Sequence, residues 1–420
     1  MRKHNGKDLL IAFGLLFIVF SCLHIVSGTV MAQPKEVKIG LLYSTSGPLA
    51  SIGRLIINGH EMAVREINAK GGIKSLGGAK LVLVPADAES KPEIAMSATE
   101  KLITKDNVVA IVGPYSSGEA FASTQIAEKY KTPTLLCGPV ADQITERGFK
   151  YTFRTVYKAT ENAKAALDFM KYIGEKTGVK PKTVALLYED TLWGQSSSKS
   201  WKSLMPSYGY QIVADLPYSK AAQDITPTIS RLKAAKPDVV LQISYTTDAI
   251  LVTRTMFDLD FNCMGRIPTG GGHTDTEYQK AMGKLMEYII INLHYHPTLR
   301  GPNNKNQIVN ERFKKQYGID MDDYSAPAYD LMWVVADALE RAGSIDREKV
   351  RNAIAATNLT IDNSPVIRPM QYKFDENGQA PATGVFAQYQ NQKLLCIWPE
   401  KYAASKPIWP MPTWKERHLR

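Results

Sequence analysis

Short, unbroken runs of β-branched and apolar residues constrain this chain more than any other feature. Val37–Tyr43, Leu81–Val84, Val108–Val112, Val184–Tyr188, Val239–Ile243 and Tyr288–Leu293 are each too short for a buried helix. They show little of the apolar–polar alternation of a strand with one wet face, so they read as strands covered on both sides. Between them lie amphipathic stretches, among them Ile56 to Ala69, Ala163 to Gly174 and Ile225 to Ala235. Strand and helix in alternation require crossover connections, hence parallel sheets. The series breaks around Phe153-Arg154-Thr155, which predicts two α/β lobes, and 420 residues are enough for both. A later helix is read from Ser325 as cap and Pro327 in the first turn. Ala328, Leu331, Met332, Val335, Leu339 and Ala342 form its apolar face, and Gly343 stops it. Asp330 and Asp337 on that helix are expected to be solvated.

The two ends of the chain differ from its body. Arg2, Lys3 and Lys7 precede an apolar run from Leu9 to Val26, and Val30-Met31-Ala32 supplies a V-x-A exit. That describes a secretory leader, residues 1–32, with Gln33 as the first mature residue. The alternatives are an uncleaved anchor, since the run just spans a bilayer, and a lipoprotein site at Val19-Phe20-Ser21-Cys22, which Phe20 fits poorly. At the other end, Trp398, Trp409 and Trp414 stand among Pro399, Pro407, Pro410 and Pro412. Residues 399–420 are expected to form an extended strap, packed across a lobe or projecting as an arm.

Charge and cysteine usage exclude several classes. The formal net charge is +10, but residues 401–420 alone hold five basic residues and one acid. A nucleic-acid binder would carry its charge as a stripe with exposed aromatics along the body, so nucleic acid is rejected as a partner. Three cysteines follow the leader, Cys137, Cys263 and Cys396, so at least one thiol is unpaired within the chain. Their apolar surroundings suit buried small hydrophobes.

No catalytic constellation is intact. His60-Glu61 opens like a zincin motif, but Val64 stands where the second ligand belongs. Gly113 to Gly118 looks like a nucleophile turn, yet no serine in it has glycine at both −2 and +2. His294 and His296 share a strand face without a third metal ligand. We therefore expect no enzyme, no cofactor and no metal; an exported two-lobed α/β chain lacking a reactive group is a binder.

At this point a family resemblance is visible. Val37-Lys38-Ile39-Gly40, Ser46-Gly47-Pro48 and Ile67-Asn68-Ala69-Lys70-Gly71-Gly72-Ile73 closely resemble the leucine/isoleucine/valine-binding group, the periplasmic solute-binding proteins of ABC importers. Val112-Gly113-Pro114 with Ser116-Ser117, and Thr145-x-x-Gly148 leading to Phe153-Arg154-Thr155, extend the match over most of 36–398. The resemblance implies two Rossmann-like lobes joined by three crossover strands, the type I periplasmic binding protein fold. Crossings near 155, 295 and 383 would give lobe one as 36–154 plus 296–382, and lobe two as 155–295 plus 383–398. It implies a small-molecule ligand gripped between the lobes, a membrane permease as partner and a periplasmic location. A sensor module of the same fold, signalling through a separate partner, is the alternative.

The motifs fall at the carboxyl ends of strands, where such folds bind ligands. Ser116 and Ser117 precede a helix whose free N–H groups suit a carboxylate, although serine also simply prefers the N-cap. The resemblance makes Ser117 a ligand serine, and places Gly138, Pro139 and Val140 against the ligand, with Val140 where relatives have a hydroxyl. It makes Trp193 an aromatic wall of lobe two and Tyr245 a second lobe-two contact. Tyr115 and Thr269 complete the expected set. Relatives that hold α-amino acids carry an acid in the turn after about Gly265; here Ile267-Pro268-Thr269-Gly270-Gly271-Gly272 has none before Asp275. Ile52 likewise replaces a common aromatic hydroxyl. A buried ammonium without a counter-charge costs several kcal/mol, so either another acid such as Asp142 or Asp190 serves, or the ligand is an amine-free carboxylate or amide, aromatic acids included. The second is preferred here.

Mass spectrometry of the exported protein should find Gln33 at its N-terminus. An intact Met1 in the cell envelope would establish an anchor instead.

Overall fold

A computed structural model describes residues 34–299, 304–382 and 384–419. The expected leader, 1–32, lies outside the described residues, as does Thr383 at the expected third crossing. In the first lobe β1 (Glu36–Tyr43), β2 (Lys80–Asp87), β3 (Ala110–Val112), β4 (Thr134–Leu136) and β5 (Thr152–Arg154) form one sheet in the order β2-β1-β3-β4-β5. Every pairing in it is parallel. In the second lobe β6 (Thr183–Glu189), β7 (Gln211–Tyr218), β8 (Val239–Ile243) and β9 (Gly265–Pro268) run β7-β6-β8-β9, again all parallel. β3, β4, β5, β8 and β9 are buried along their whole length, as the unalternating runs require.

The crossover helices are α1 (Ala50–Ala69), α2 (Pro92–Thr104), α3 (Ser117–Lys129), α4 (Ala159–Thr177), α5 (Leu192–Tyr208), α6 (Thr226–Ala235), α7 (Thr246–Asp258) and α8 (Thr276–Met282); α9 (Lys305–Tyr317), α10 (Ser325–Ala342) and α11 (Arg347–Ala355) return to lobe one. Helix α1 passes so close to α10 that a Cβ on Gly59 would stand 2.1 Å from the Ser325 carbonyl oxygen. Only glycine allows that approach. Ser325 is the first residue of α10 rather than its cap. Asp322 takes the capping role, its Oδ1 accepting from the Ser325 N–H at 2.7 Å and the Tyr324 N–H at 3.0 Å.

Three strands cross between the lobes. The first and third are paired by a parallel bridge between Arg154 and Gln379, and the second touches β9 through Asn292 and Thr269. The run Tyr288–Leu293 is not part of a parallel sheet. It forms β10 (Ile290–Leu293), which with β13 (Val385–Gln390) and β14 (Lys393–Trp398) makes an antiparallel sheet. β11 (Asn358–Thr360) and β12 (Gln371–Lys373) form a small ladder beside it in sequence. The β13–β14 hairpin turns on Asn391 (φ 53°) and Gln392 (φ 59°), the left-handed pair of a tight two-residue turn.

The tail packs on lobe two. Trp409 Nε1 donates to Val179 O at 2.9 Å, Trp414 Nε1 to Phe261 O at 2.8 Å, and the Met411 N–H to Met264 O at 2.8 Å. Cys137, Cys263 and Cys396 are all free thiols. Among the described residues no helix is long and apolar enough to cross a membrane.

Asp330 departs from the sequence expectation. It is fully buried and ion-paired with Arg368 at 3.3 Å, each almost inaccessible. Its oxygens also accept from the Ile367 N–H at 2.7 Å and from Tyr372 Oη. The helical period put it one residue outside the apolar face, but Arg368, far along the chain, brings the opposite charge to meet it. Asp337, by contrast, makes a half-exposed pair with Arg341. Asp330→Ala strands a buried guanidinium and should cost about 3–5 kcal/mol in urea unfolding, while Asp337→Ala should cost under about 0.5 kcal/mol. Equal, small losses at both positions would contradict this account.

Candidate functional site

Parallel sheets put helix N-termini and loops at the carboxyl ends of their strands, and the crevice opens where the strand order reverses. In lobe one that switch lies between β1 and β3, in lobe two between β6 and β8. The two crevices face each other across a cavity lined by residues of both lobes.

The structure brings all nine expected residues to this cavity. Tyr115, Ser116 and Ser117 reach it from the turn after β3, Gly138, Pro139 and Val140 from the turn after β4. Trp193 comes from the turn after β6, Tyr245 from that after β8, and Thr269 from that after β9. Ser116 is the N-cap of α3. Its Oγ accepts from the Glu119 N–H, and the Glu119 carboxyl accepts in return from the Ser116 N–H, each at 3.3 Å. Ser117 Oγ accepts from the Val140 and Ala141 N–H groups, both at 3.3 Å, so it ties the β4 turn to the helix. Its own proton is left to donate. Val140 presents an apolar side chain and donates its backbone N–H to Ser117 Oγ. Thr269 Oγ1 donates to Asn162 Oδ1 at 3.0 Å.

An aromatic wall runs across both lobes. Tyr324 and Tyr115 meet edge-on at 5.9 Å between centroids, Tyr115 and Tyr245 at 6.4 Å, and Tyr245 lies 4.9 Å from Trp193. Trp193 packs where a Cβ on Gly271 would be 2.4 Å from its ring, and Gly271 has φ +58°. Glycine is needed there for both reasons. The lobes are in contact around this wall. Tyr324 Oη donates to Gly271 O and accepts from Thr274 Oγ1 at 2.8 Å, Ser51 Oγ donates to Asp275 at 3.0 Å, and the Asp142 N–H donates to Ser196 Oγ at 3.1 Å.

Eight lining residues were not expected there from the sequence: Ile56, Cys137, Tyr157, Gly270, Gly271, His294, Asp323 and Tyr324. Ile56, one turn beyond Ile52, is the α1 residue in the wall; Ile52 itself is buried in the core. His294 stacks on Tyr157 at 3.9 Å, and burial holds its imidazole well below its ordinary pKa, hence neutral. His296 turns away to Thr298 and Leu394 O, and among the described residues no group of His, Cys, Asp and Glu could hold a metal. Burial raises the phenols of Tyr115, Tyr157, Tyr245 and Tyr324, so these too are neutral. Trp193 Nε1 and His294 Nδ1 are buried without a hydrogen-bond partner. Such atoms carry a desolvation penalty unless something enters the cavity to meet them.

The two acids weighed as alternative counter-charges are elsewhere. Asp142 accepts from Thr160 N at 3.1 Å and from Ser200 Oγ at 3.3 Å, and Asp190 from Lys220 N at 3.3 Å; neither lines the cavity. Asp323 does.

Two lobes, a shared apolar and aromatic cleft and unsatisfied polar atoms in its wall define a protein of the solute-binding class. The chain belongs to the periplasmic binding protein family, whose model matches residues 36–393. The Leu/Ile/Val-binding protein homolog 7 of Brucella abortus (strain 2308) is 31% identical over 385 residues, 88% of this chain and 93% of that one. A branched-chain amino acid transporter substrate-binding protein from Streptococcus pneumoniae, solved with isoleucine, is similar at TM-score 0.75 and 23% identity, covering 90% of this chain and all of the other. A solute-binding protein of an ABC transporter from R. palustris, solved with benzoate, is equally similar at TM-score 0.75 and 23% identity, covering 86% and 95%. These likenesses show the type I fold, two Rossmann-like lobes joined by three crossover strands. Family and fold are those of substrate-binding proteins.

Proposed function

We propose that this protein is the exported solute receptor of an ABC importer, which captures a small organic acid between its lobes and releases it unchanged to a membrane permease. The observation that carries this reading is the interlobe cavity, with nine motif residues converging on it and Trp193 Nε1 and His294 Nδ1 unpartnered in its wall. The N-terminus of α3 offers N–H groups and serine hydroxyls to a carboxylate, and the aromatic wall offers apolar area. The solved neighbours hold isoleucine in one case and benzoate in another, and both are carboxylates.

In this reading the moving bodies are 36–154 plus 296–382, and 155–295 plus 383–398, with 399–420 carried on the second. A ligand touching Ser117 on one body and Trp193 and Tyr245 on the other stabilises the closed form only, and so shifts the population toward it. The permease then reads closure through the relative position of the lobe rims.

Native mass spectrometry of freshly purified protein should reveal a retained small carboxylate; protein that is persistently empty, and silent in a thermal-shift panel of amino acids, amides and aromatic acids, would count against the reading. Ser117→Ala should weaken binding of that compound by about 1–3 kcal/mol in calorimetry, partly by orphaning the Val140 and Ala141 N–H groups. Unaltered affinity would remove the hydroxyl from the site. The compound should also change tryptophan emission, and Trp193→Phe should lose most of that change. A full response in the variant would place the signal on another indole.

A further inference from the structure

Arg266 is a cation that lobe two buries among neutral groups. Side chains alternate faces along a strand. On β9, Ile267 therefore enters the core shared with α4 and α5, while Arg266 points to the other face, under α7. The residue is 1% exposed. Its Nη2 donates to Gln242 Oε1 at 3.1 Å and to Thr253 Oγ1 at 3.0 Å, both uncharged acceptors. Nε and Nη1 have no hydrogen-bond partner among the described residues. Arg368, buried to a similar depth, has the Asp330 carboxylate at 3.3 Å.

The surroundings add positive charge or none. Arg417 from the tail is near enough that the Arg266 charge, after burial, lowers its guanidinium to about 10. Arg417 itself donates to Pro412 O at 2.7 Å and Glu287 O at 3.1 Å, and the Glu287 carboxyl is turned to the Asn391 and Gln392 N–H groups. Tyr278 and Cys263, the groups of opposite tendency, are neutral, because burial raises the phenol and pushes the thiol up to about 11. Asp248, on α7 with Thr253, accepts from Tyr218 Oη at 2.7 Å and is linked to Arg266 through Tyr218, Ser244 and Gln242. His273 makes the second observation. It is completely buried, and neither ring nitrogen has a hydrogen-bond partner among the described residues. Its ring lies 5.0 Å from that of Tyr278, whose Oη is 3.0 Å from the same Thr253 Oγ1. Burial, then the Arg266 charge, holds the imidazole well below its ordinary pKa, so it is neutral and keeps one N–H to donate.

A buried guanidinium with unmade hydrogen bonds and no opposite charge is strongly unfavourable. We propose that lobe two encloses a small monovalent anion of the halide class, which accepts from the free N–H groups of Arg266 with the His273 N–H as a further donor. One negative charge matches the one cation buried there, and a divalent oxyanion would be far more costly to strip of water. The anion would tie β9 to α7 and to the turn that carries His273. It is separate from the solute, which enters between the lobes.

The test is thermal unfolding of purified protein dialysed exhaustively into sodium gluconate, then compared in sodium gluconate, chloride and bromide at one ionic strength, so that general screening is held constant. Chloride and bromide should raise the wild-type Tm by about 2–4 °C over gluconate, saturably. Arg266→Met keeps an unbranched apolar stem, removes the cation and should have the same Tm in all three salts. Crystals of wild type grown in bromide should show an anomalous peak within hydrogen-bond distance of an Arg266 nitrogen. A wild type indifferent to halide, or ordered water alone beside Arg266 in those crystals, overturns the assignment, as does a halide effect kept in full by Arg266→Met. If Arg266→Met does not fold, the bromide crystal of wild type decides. None of these outcomes touches the solute-binding reading.

Discussion

Arg154 is the side chain on which the rest of this architecture depends. It is completely buried, and among the described residues no carboxylate lies within ion-pair distance of it. Instead its guanidinium donates to Gln379 Oε1 at 2.6 Å, Ala141 O at 2.7 Å and Thr145 Oγ1 at 2.8 Å. Gln379 in turn donates to Val156 O and Ala380 O. One planar cation thereby joins the first crossover, the third crossover and the turn after β4 that contributes Gly138, Pro139 and Val140 to the cavity. Arginine suits this place because its rigid fork of donors can satisfy several backbone and side-chain acceptors at fixed angles. The crossover region is thus held by oriented hydrogen bonds, and Arg368 repeats the device nearby by donating to Thr155 O at 2.9 Å.

The chemistry of the cleft follows from what parallel sheets do with their carboxyl ends. Each lobe contributes turns and helix N-termini, which are rich in backbone donors and poor in charge. The phenols and the imidazole in the wall are neutral by burial, and burial likewise pushes the Asp323 carboxyl well above the usual carboxylate range, so the positive end of α3 dominates the electrostatics of the site. That simplicity suits capture and release. A site with few charges holds a small solute through a handful of convergent contacts.

How much of this could be read from the residues depends on how each reaches the cavity. Ser116, Ser117, Trp193, Tyr245 and Thr269 all sit one to five residues beyond a buried strand, where the family resemblance could be matched to them. Tyr157, His294 and Asp323 arrive from crossover segments and from the approach to α10, where no local period marks a ligand position. His294 was visible only as half of an incomplete metal pair, and nothing in the sequence singled out Asp323. The same limit explains Asp330, whose burial is decided by Arg368, and β10, whose apolar run looks like the parallel strands but meets antiparallel partners. Local pattern specifies strands and helices; which strand a crossing segment joins is settled by contacts distant in sequence. β4 and β5, three residues each, are too brief to stand out as apolar runs.

The C-terminal strap has a consequence for how this protein behaves in a crowded compartment. β9 is the last strand in the lobe-two sheet order, and an uncovered sheet edge is a template for pairing with another chain. Here Met411 bonds to the backbone just ahead of β9, the Trp409 ring sits where a Cβ on Gly265 would be 2.3 Å away, and β10 touches the strand's far end at Thr269. The final dozen residues thus act as a built-in guard rail, keeping one molecule's sheet from being extended by its neighbour's.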